Sequence, residues 1–269
     1  MNKARFGEQR LALPDVSAAE RLLFHAMGVA DPAHYLHSRY FLRALAQWND
    51  LAPRAILDAG CGRGDYSFYL ARRFPDALVY GVDIDEARVA RNRRMARQLG
   101  LDNVTFQVAD IVTIRFTTKL DLIISIDVLE HIPQQEQALR NLADQLTPDG
   151  RVFYHIPTVR ERPVPFSRAL AGFHEWAEKE HIAKERSAAE FLEVMRRTGY
   201  VVTRSHRTFG YYTGEFATSL FNMPYEKTLR NKVLQAMLSP VCRVLALADG
   251  LGLERTRYAL ATEAQRARR

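Results

Sequence analysis

The sequence predicts an α/β chain with a Rossmann-like, mostly parallel sheet of seven strands. Two observations predict it. Short apolar runs alternate with segments of helical periodicity between residues 55 and 156, and the first run leads into ILDAGCGRGDYS, residues 56–67, with glycines at 60, 62 and 64 behind Asp58. Strands alternating with helices at this spacing wind into a sheet covered on both faces, with right-handed crossovers.

The elements follow in order. Ser17 is placed to cap a helix running through Met27, and Asp31-Pro32 opens a second, in which Tyr35, Arg39, Leu42, Leu45 and Ala46 recur at helical spacing up to Trp48. Strands are expected at 55–59, 78–82, 104–108, 120–126 and 151–156, with helices at 66–74, 86–99 and 134–146 between them. A helix from Ser187 to Thr198 stops at Gly199; a strand follows from Tyr200 to about Arg207, and a last one is expected at Arg257–Thr262. The expected organisation is an N-terminal helical cap (1–50), a core (51–209), a helical insertion between the last two strands (210–254), and a last strand with a basic tail (255–269).

At 269 residues and 47% hydrophobic content the chain can bury a sizeable core unaided. Its two cysteines, Cys61 and Cys242, lie far apart, and a disulfide at Cys61 would obstruct the glycine stretch, so a reducing, cytoplasmic setting is expected. MNKARFGEQRLALP lacks the apolar core of a signal peptide, and the apolar stretch Val241–Ala248 is short and broken by Arg243. The net charge of +7 is local, because residues from Arg204 onward carry eleven Lys/Arg against five Asp/Glu.

Glycine tolerates positive φ and lets a ligand approach the bare backbone, so the 60–64 loop reads as a cradle at the start of a helix. The dinucleotide fingerprint needs a small residue at position 65, which is Asp65, and the phosphate-binding G-x-x-x-x-G-K-[ST] pattern does not occur. The pattern D-x-G-x-G-x-G does occur. It resembles the class I S-adenosylmethionine-dependent methyltransferases, in particular the ubiquinone- and menaquinone-biosynthesis-type branch. The resemblance continues through VYGVDIDE, where Asp83 stands 19 residues beyond Gly64, then VTFQVADI with Asp110, LDLIISIDVLEHI with Asp127, Glu130 and His131, LTPDGRVFYHIP, and EHIAKERSAAEFLEVMRRTGY. It covers roughly residues 50–206.

The resemblance implies strand order 3-2-1-4-5-7-6, with the last strand antiparallel, and S-adenosyl-L-methionine as cofactor. It implies that Gly60, Cys61 and Gly62 pass close to the methionine part of that cofactor, with Asp58 near its amino group. Asp83 would face the ribose hydroxyls, Asp110 the adenine amine, Ile84 and Ile111 the adenine ring, and Asp127 the transferring methyl. A sulfonium methyl is already activated, so the chain must chiefly position an acceptor and, where needed, deprotonate it. His131 and His155 are the candidate bases, each with a structural reading beside the catalytic one. Tyr35, His174, Trp176 and His181 are candidate acceptor-pocket residues, since the family often lines its pocket after strand five and lays its N-terminal helices over the cofactor. The remaining histidines, His25, His34, His37 and His206, form no ligand spacing with cysteine or carboxylate, so no metal site is expected.

Residues 214–254 carry an apolar stripe, Leu229, Val233, Met237, Val241 and Leu245, with Lys227, Arg230, Lys232 and Arg243 off it. Such a stripe serves either packing on the core or peripheral contact with a membrane surface through 214–250. The expected reaction is methyl transfer to a small-molecule acceptor, lipidic or aromatic. RNA methylation and non-catalytic cofactor binding are the alternatives. Asp127-Val128-Leu129-Glu130 stands where amine-methylating nucleic-acid enzymes carry (N/D)-P-P-(Y/F), and no RNA-binding module is visible, which argues against nucleic acid.

Overall fold

Apolar runs that are buried on both faces become central parallel strands; four of the five expected runs do so here, and the fifth, 104–108, buried only at positions 104 and 106, forms the parallel edge of the sheet. The computed structural model describes residues 4–13, 16–18, 21, 24–25, 32–159, 186–209, 240, 244, 247 and 259–267. Its strands are β1 (Ala55–Ala59), β2 (Leu78–Asp83), β3 (Val104–Val108), β4 (Leu120–Ile126), β5 (Leu146–Pro157), β6 (Tyr200–Thr208) and β7 (Ala259–Arg266). They form one sheet in the order β3-β2-β1-β4-β5-β7-β6. β1 to β5 pair in parallel, and β7 runs antiparallel to both β5 and β6. The expected fold class and strand order are borne out.

The helices are α1 (Pro32–Gln47), α2 (Asp65–Arg73), α3 (Glu86–Gln98), α4 (Gln135–Gln145) and α5 (Ala188–Arg197), with 3-10 turns at Glu8–Ala12 and Leu129–His131. Two apolar clusters show how they cover the sheet. Phe41, Phe68, Leu70, Val89 and Met95 of α1, α2 and α3 meet Ile56, Val79, Phe106, Leu122 and Phe153 on one face. Leu139 and Leu142 of α4, with Phe191 and Met195 of α5, meet Leu57, Ile123, Val152 and Tyr154 on the other.

Polar side chains close the gaps that helix ends leave. The Asn103 amide donates to the carbonyls of Ala71, Phe74 and Ala77 at 2.9, 3.2 and 3.1 Å, satisfying the C-terminal end of α2. Between the sheet and α4, the Tyr200 hydroxyl donates to the Leu139 carbonyl at 2.9 Å, so the buried Tyr154 hydroxyl, 2.7 Å away, must donate to Tyr200. Ser187 caps α5 in a full capping box with Glu190.

Three differences from the sequence reading have physical reasons. β7 runs on to Arg266, four residues beyond the expected end, although TEAQR looks polar; it lies between two strands, and Glu263 is buried with Trp48 Nε1 donating to its carboxylate at 3.0 Å. β5 starts at Leu146 because that residue pairs with Leu120 before a register shift ahead of the Leu122–Arg151 pair. The turn at Glu8–Ala12 went unpredicted; it is held from outside its own stretch, by Gln9 and Arg10 on the carboxylate of Asp65. Of the 17–27 helix, the described positions 18, 21, 24 and 25 are helical. The 210–254 stretch lies outside the described residues except at 240, 244 and 247, and among the described residues no helix is long and apolar enough to cross a membrane.

Removing the α5 cap tests this account of the helix. Ser187→Ala should destabilise the chain by about 1 kcal/mol, seen as a lower denaturant midpoint at unchanged slope, while Ser187→Asp should retain most of the stability.

Candidate functional site

The loop leaving β1 is fixed from two sides. The Gly60 and Cys61 N–H groups both donate to the Val82 carbonyl at 2.8 Å, and the Asn92 amide donates to the Gly62 carbonyl at 2.9 Å. Gly60 has φ +83°, and a Cβ there would lie 2.4 Å from Val128 Cγ2. Gly62 has φ +50°, but a Cβ there would meet nothing within 4 Å, so the loop is tight on its Val128 side and open on the other.

Asp83 stands at the open side. Its carboxylate accepts from the Gly62 N–H at 2.7 Å and from the Asp85 N–H at 2.9 Å. Beside it Ile84 is 76% exposed, an apolar side chain presented to solvent at the C-terminal edge of β2. Asp110, exposed just beyond β3, accepts from the Val112 N–H at 2.8 Å. Gly60, Gly62, Asp83, Ile84 and Asp110 therefore share one rim at the strand ends, where open α/β sheets bind ligands.

Other expected contacts turn inward. Ile111 belongs to the core on the α4 face, so its side chain is not offered to a ring at the rim. Cys61 packs among Phe68, Val79 and Val89, and burial pushes its thiol far above the usual range; only its backbone lines the loop. Asp58 is buried under the loop and accepts from the Ser67 hydroxyl at 2.6 Å. Burial, opposed only in part by that bond, pushes its carboxyl up to about 7.

The second half of the site lies at the end of β4. Asp127 has φ +54°, and its carboxylate sits between two imidazoles, with His37 Nδ1 of α1 at 2.7 Å and His155 Nδ1 of β5 at 2.6 Å. Burial alone would raise this carboxyl, but His155 and His37 hold it well below the usual carboxylate range. An ionised carboxylate only accepts, so each Nδ1 donates to it, while His155 Nε2 shares a hydrogen bond with the Thr208 hydroxyl at 2.8 Å. Tyr40 stacks on the His155 ring at 5.9 Å and 14°, and Phe209 meets it edge-on at 5.2 Å.

His155 is thus 1% exposed with both nitrogens engaged, which corrects the expectation of a base acting directly on an acceptor. His131 is half-buried on the turn after β4, with Nε2 3.8 Å from Glu130 Oε1. Burial, reinforced by Asp127, pushes the Glu130 carboxyl well above its usual range. His37 was assigned no site role from sequence. It is 90 residues from its partner, and no local spacing signals the pair. Tyr35 lies on α1 with its side chain outside the described residues; His174, Trp176 and His181 lie outside them altogether.

Two outcomes follow from the loop. Gly60→Ala should destabilise the chain by about 3 kcal/mol, from strain plus collision with Val128, whereas Gly62→Ala should cost about 1 kcal/mol from positive φ alone, measured by urea unfolding. Asp58 binds its proton more tightly folded than unfolded, so it lowers stability as pH rises from about 4 to about 7. Asp58→Asn should remove that slope, gaining on the order of 4 kcal/mol over wild type across this window when unfolding is followed against pH.

Comparison with known proteins agrees with this geometry. The family model described as "Methyltransferase domain" matches residues 53–199. A ubiquinone biosynthesis O-methyltransferase of Coxiella burnetii (strain Dugway 5J108-111) is 28% identical over 166 residues, 57% of this chain and 68% of the relative. A trans-aconitate 2-methyltransferase of Variovorax paradoxus is 35% identical over 125 residues, 46% of each chain, so this chain spans only about half of that relative. Among solved structures, a geranyl diphosphate methyltransferase in complex with SAM matches at TM-score 0.62 and 16% identity, over 99% of this chain and 98% of that one. A putative sarcosine dimethylglycine methyltransferase from Galdieria sulphuraria matches at TM-score 0.61 and 16% identity, over 93% and 97%. With more than half of its length matched by that model and its strand order that of the fold, the chain belongs to the S-adenosylmethionine-dependent methyltransferase-domain family.

Proposed function

We propose that this chain transfers the methyl group of S-adenosylmethionine to a small-molecule acceptor lodged at the Asp127 end of β4. The observation that carries the reading is the one-sided loop, closed at Gly60 against Val128 and open at Gly62 beside the Asp83 carboxylate. A nucleoside fits the residues around that opening. Asp83, an acceptor-only group, suits the paired hydroxyls of a ribose; Ile84 offers an exposed apolar face to a flat base; Asp110 can accept from an exocyclic amine. The backbone of Gly60–Gly62 is left for the amino-acid portion.

When bound, the cofactor supplies a methyl group already activated by its sulfonium. The work left to the chain is positional. It holds the acceptor in line, keeps water out through α1 and the side chains around Asp127, and presents a fixed anion there to orient donors on the acceptor. Relatives named for ubiquinone biosynthesis, trans-aconitate and geranyl diphosphate support a small-molecule acceptor. For a lipidic acceptor, the basic stretch 214–250 is the segment that would meet the membrane surface.

Calorimetric titration of the folded protein with S-adenosylmethionine and S-adenosylhomocysteine tests the cofactor assignment. Both should bind, and Asp83→Ala should weaken binding by roughly tenfold to a hundredfold, the worth of a hydrogen bond to a charged group. Folded wild-type protein that binds neither ligand, or an Asp83→Ala variant that binds as well as wild type, would reject the reading.

A further inference from the structure

The side chains around Asp127 form a donor set as well as a hydrogen-bonded one. His37 comes from α1, Asp127 from the end of β4, and His155 from β5, and their donor atoms all lie within 4.8 Å of one another. Two imidazoles and one carboxylate suit borderline divalent ions, and three protein ligands leave positions open for a ligand from outside.

Two features favour an ion over a purely proton-held cluster. The far nitrogen of His155 is anchored by the buried Thr208 hydroxyl at 2.8 Å, an outer partner that fixes the ring with Nδ1 aimed at Asp127. Access is graded as well. The side chains of His37 and Asp127 are 40% and 28% exposed while His155 is 1% exposed, so the cluster is closed on its His155 side and reachable from solvent at His37 and Asp127.

We propose that His37, Asp127 and His155 bind one divalent transition-metal ion whose remaining positions face the acceptor cleft and take an oxygen donor of the acceptor. Binding bares Nδ1 of both rings. The proton of His155 then resides on Nε2, where the Thr208 oxygen accepts it, and the hydrogen-bonded contacts of 2.7 and 2.6 Å open to the roughly 3 Å spacing of ligands that each lie about 2.1 Å from one ion. Because one ligand belongs to α1 and two to the sheet, the ion also ties the N-terminal helix to the strand ends. The identity of the acceptor's donor rests on the methyl-transfer reading above; the ion site does not.

The test uses the full chain, stripped with chelator, and titrates Zn²⁺, Mn²⁺ and Co²⁺ separately by calorimetry, with visible absorption recorded for Co²⁺. Wild type should take up one ion per chain, acquire the absorption bands of protein-ligated cobalt, and melt at a higher temperature with the ion than without it. His37→Ala and Asp127→Asn should weaken uptake by about tenfold or more. His25→Ala, which removes an exposed histidine away from the cluster, should bind as wild type does. Uptake equal in wild type, His37→Ala and Asp127→Asn, or a cobalt spectrum indistinguishable from the aqueous ion, would overturn the proposal. Because His37 is partly exposed, its variant should remain folded, and the wild-type spectrum stands without any variant. S-adenosylmethionine binding is measured in parallel on metal-free protein, so that failure of the cofactor site and failure of the ion site read out separately.

Discussion

The approach of Gly60 to Val128 sets the separation of the two halves of the site. β1 and β4 are neighbours in the sheet, and the chain leaves them toward opposite faces, with α1, α2 and α3 on one side and α4 and α5 on the other. Their loops part and leave a crevice between. Only a residue without a Cβ lets the β1 loop sit against Val128 while its far side turns to Asp83. The glycine loop and Asp127, the residue before Val128, are therefore positioned by one contact.

Four acids near this crevice show how environment divides one chemical group into different roles. Asp83 is a partly exposed acceptor pinned by backbone N–H groups, and Asp58 beneath it is buried and half-protonated near neutrality. Asp127 stays ionised because two imidazoles donate to it, whereas Glu130, three residues on, keeps its proton because burial and Asp127 both disfavour its charge.

What the sequence disclosed was what local rules encode. The apolar runs marked β1, β3 and β4 to the residue, Gly199 marked the end of α5, and the glycine spacing separated this loop from other nucleotide patterns. What it concealed depends on partners far along the chain. His37 acquires a role only when α1 lies over β4 and β5, and TEAQR becomes central strand only when β5 and β6 flank it. Ile111 and Cys61 were assigned from their places in motifs, but the direction of a side chain leaving a loop is set by tertiary packing.

The hydrogen bond from Trp48 to the buried Glu263 has an optical consequence. Trp48 is one of two tryptophans in the chain, and it stands just past the end of α1 with its indole N–H on the carboxylate of a central strand. Undocking α1 would break that bond and wet the ring. The emission of this indole is therefore a built-in reporter of whether the helix that carries His37 is seated on the sheet.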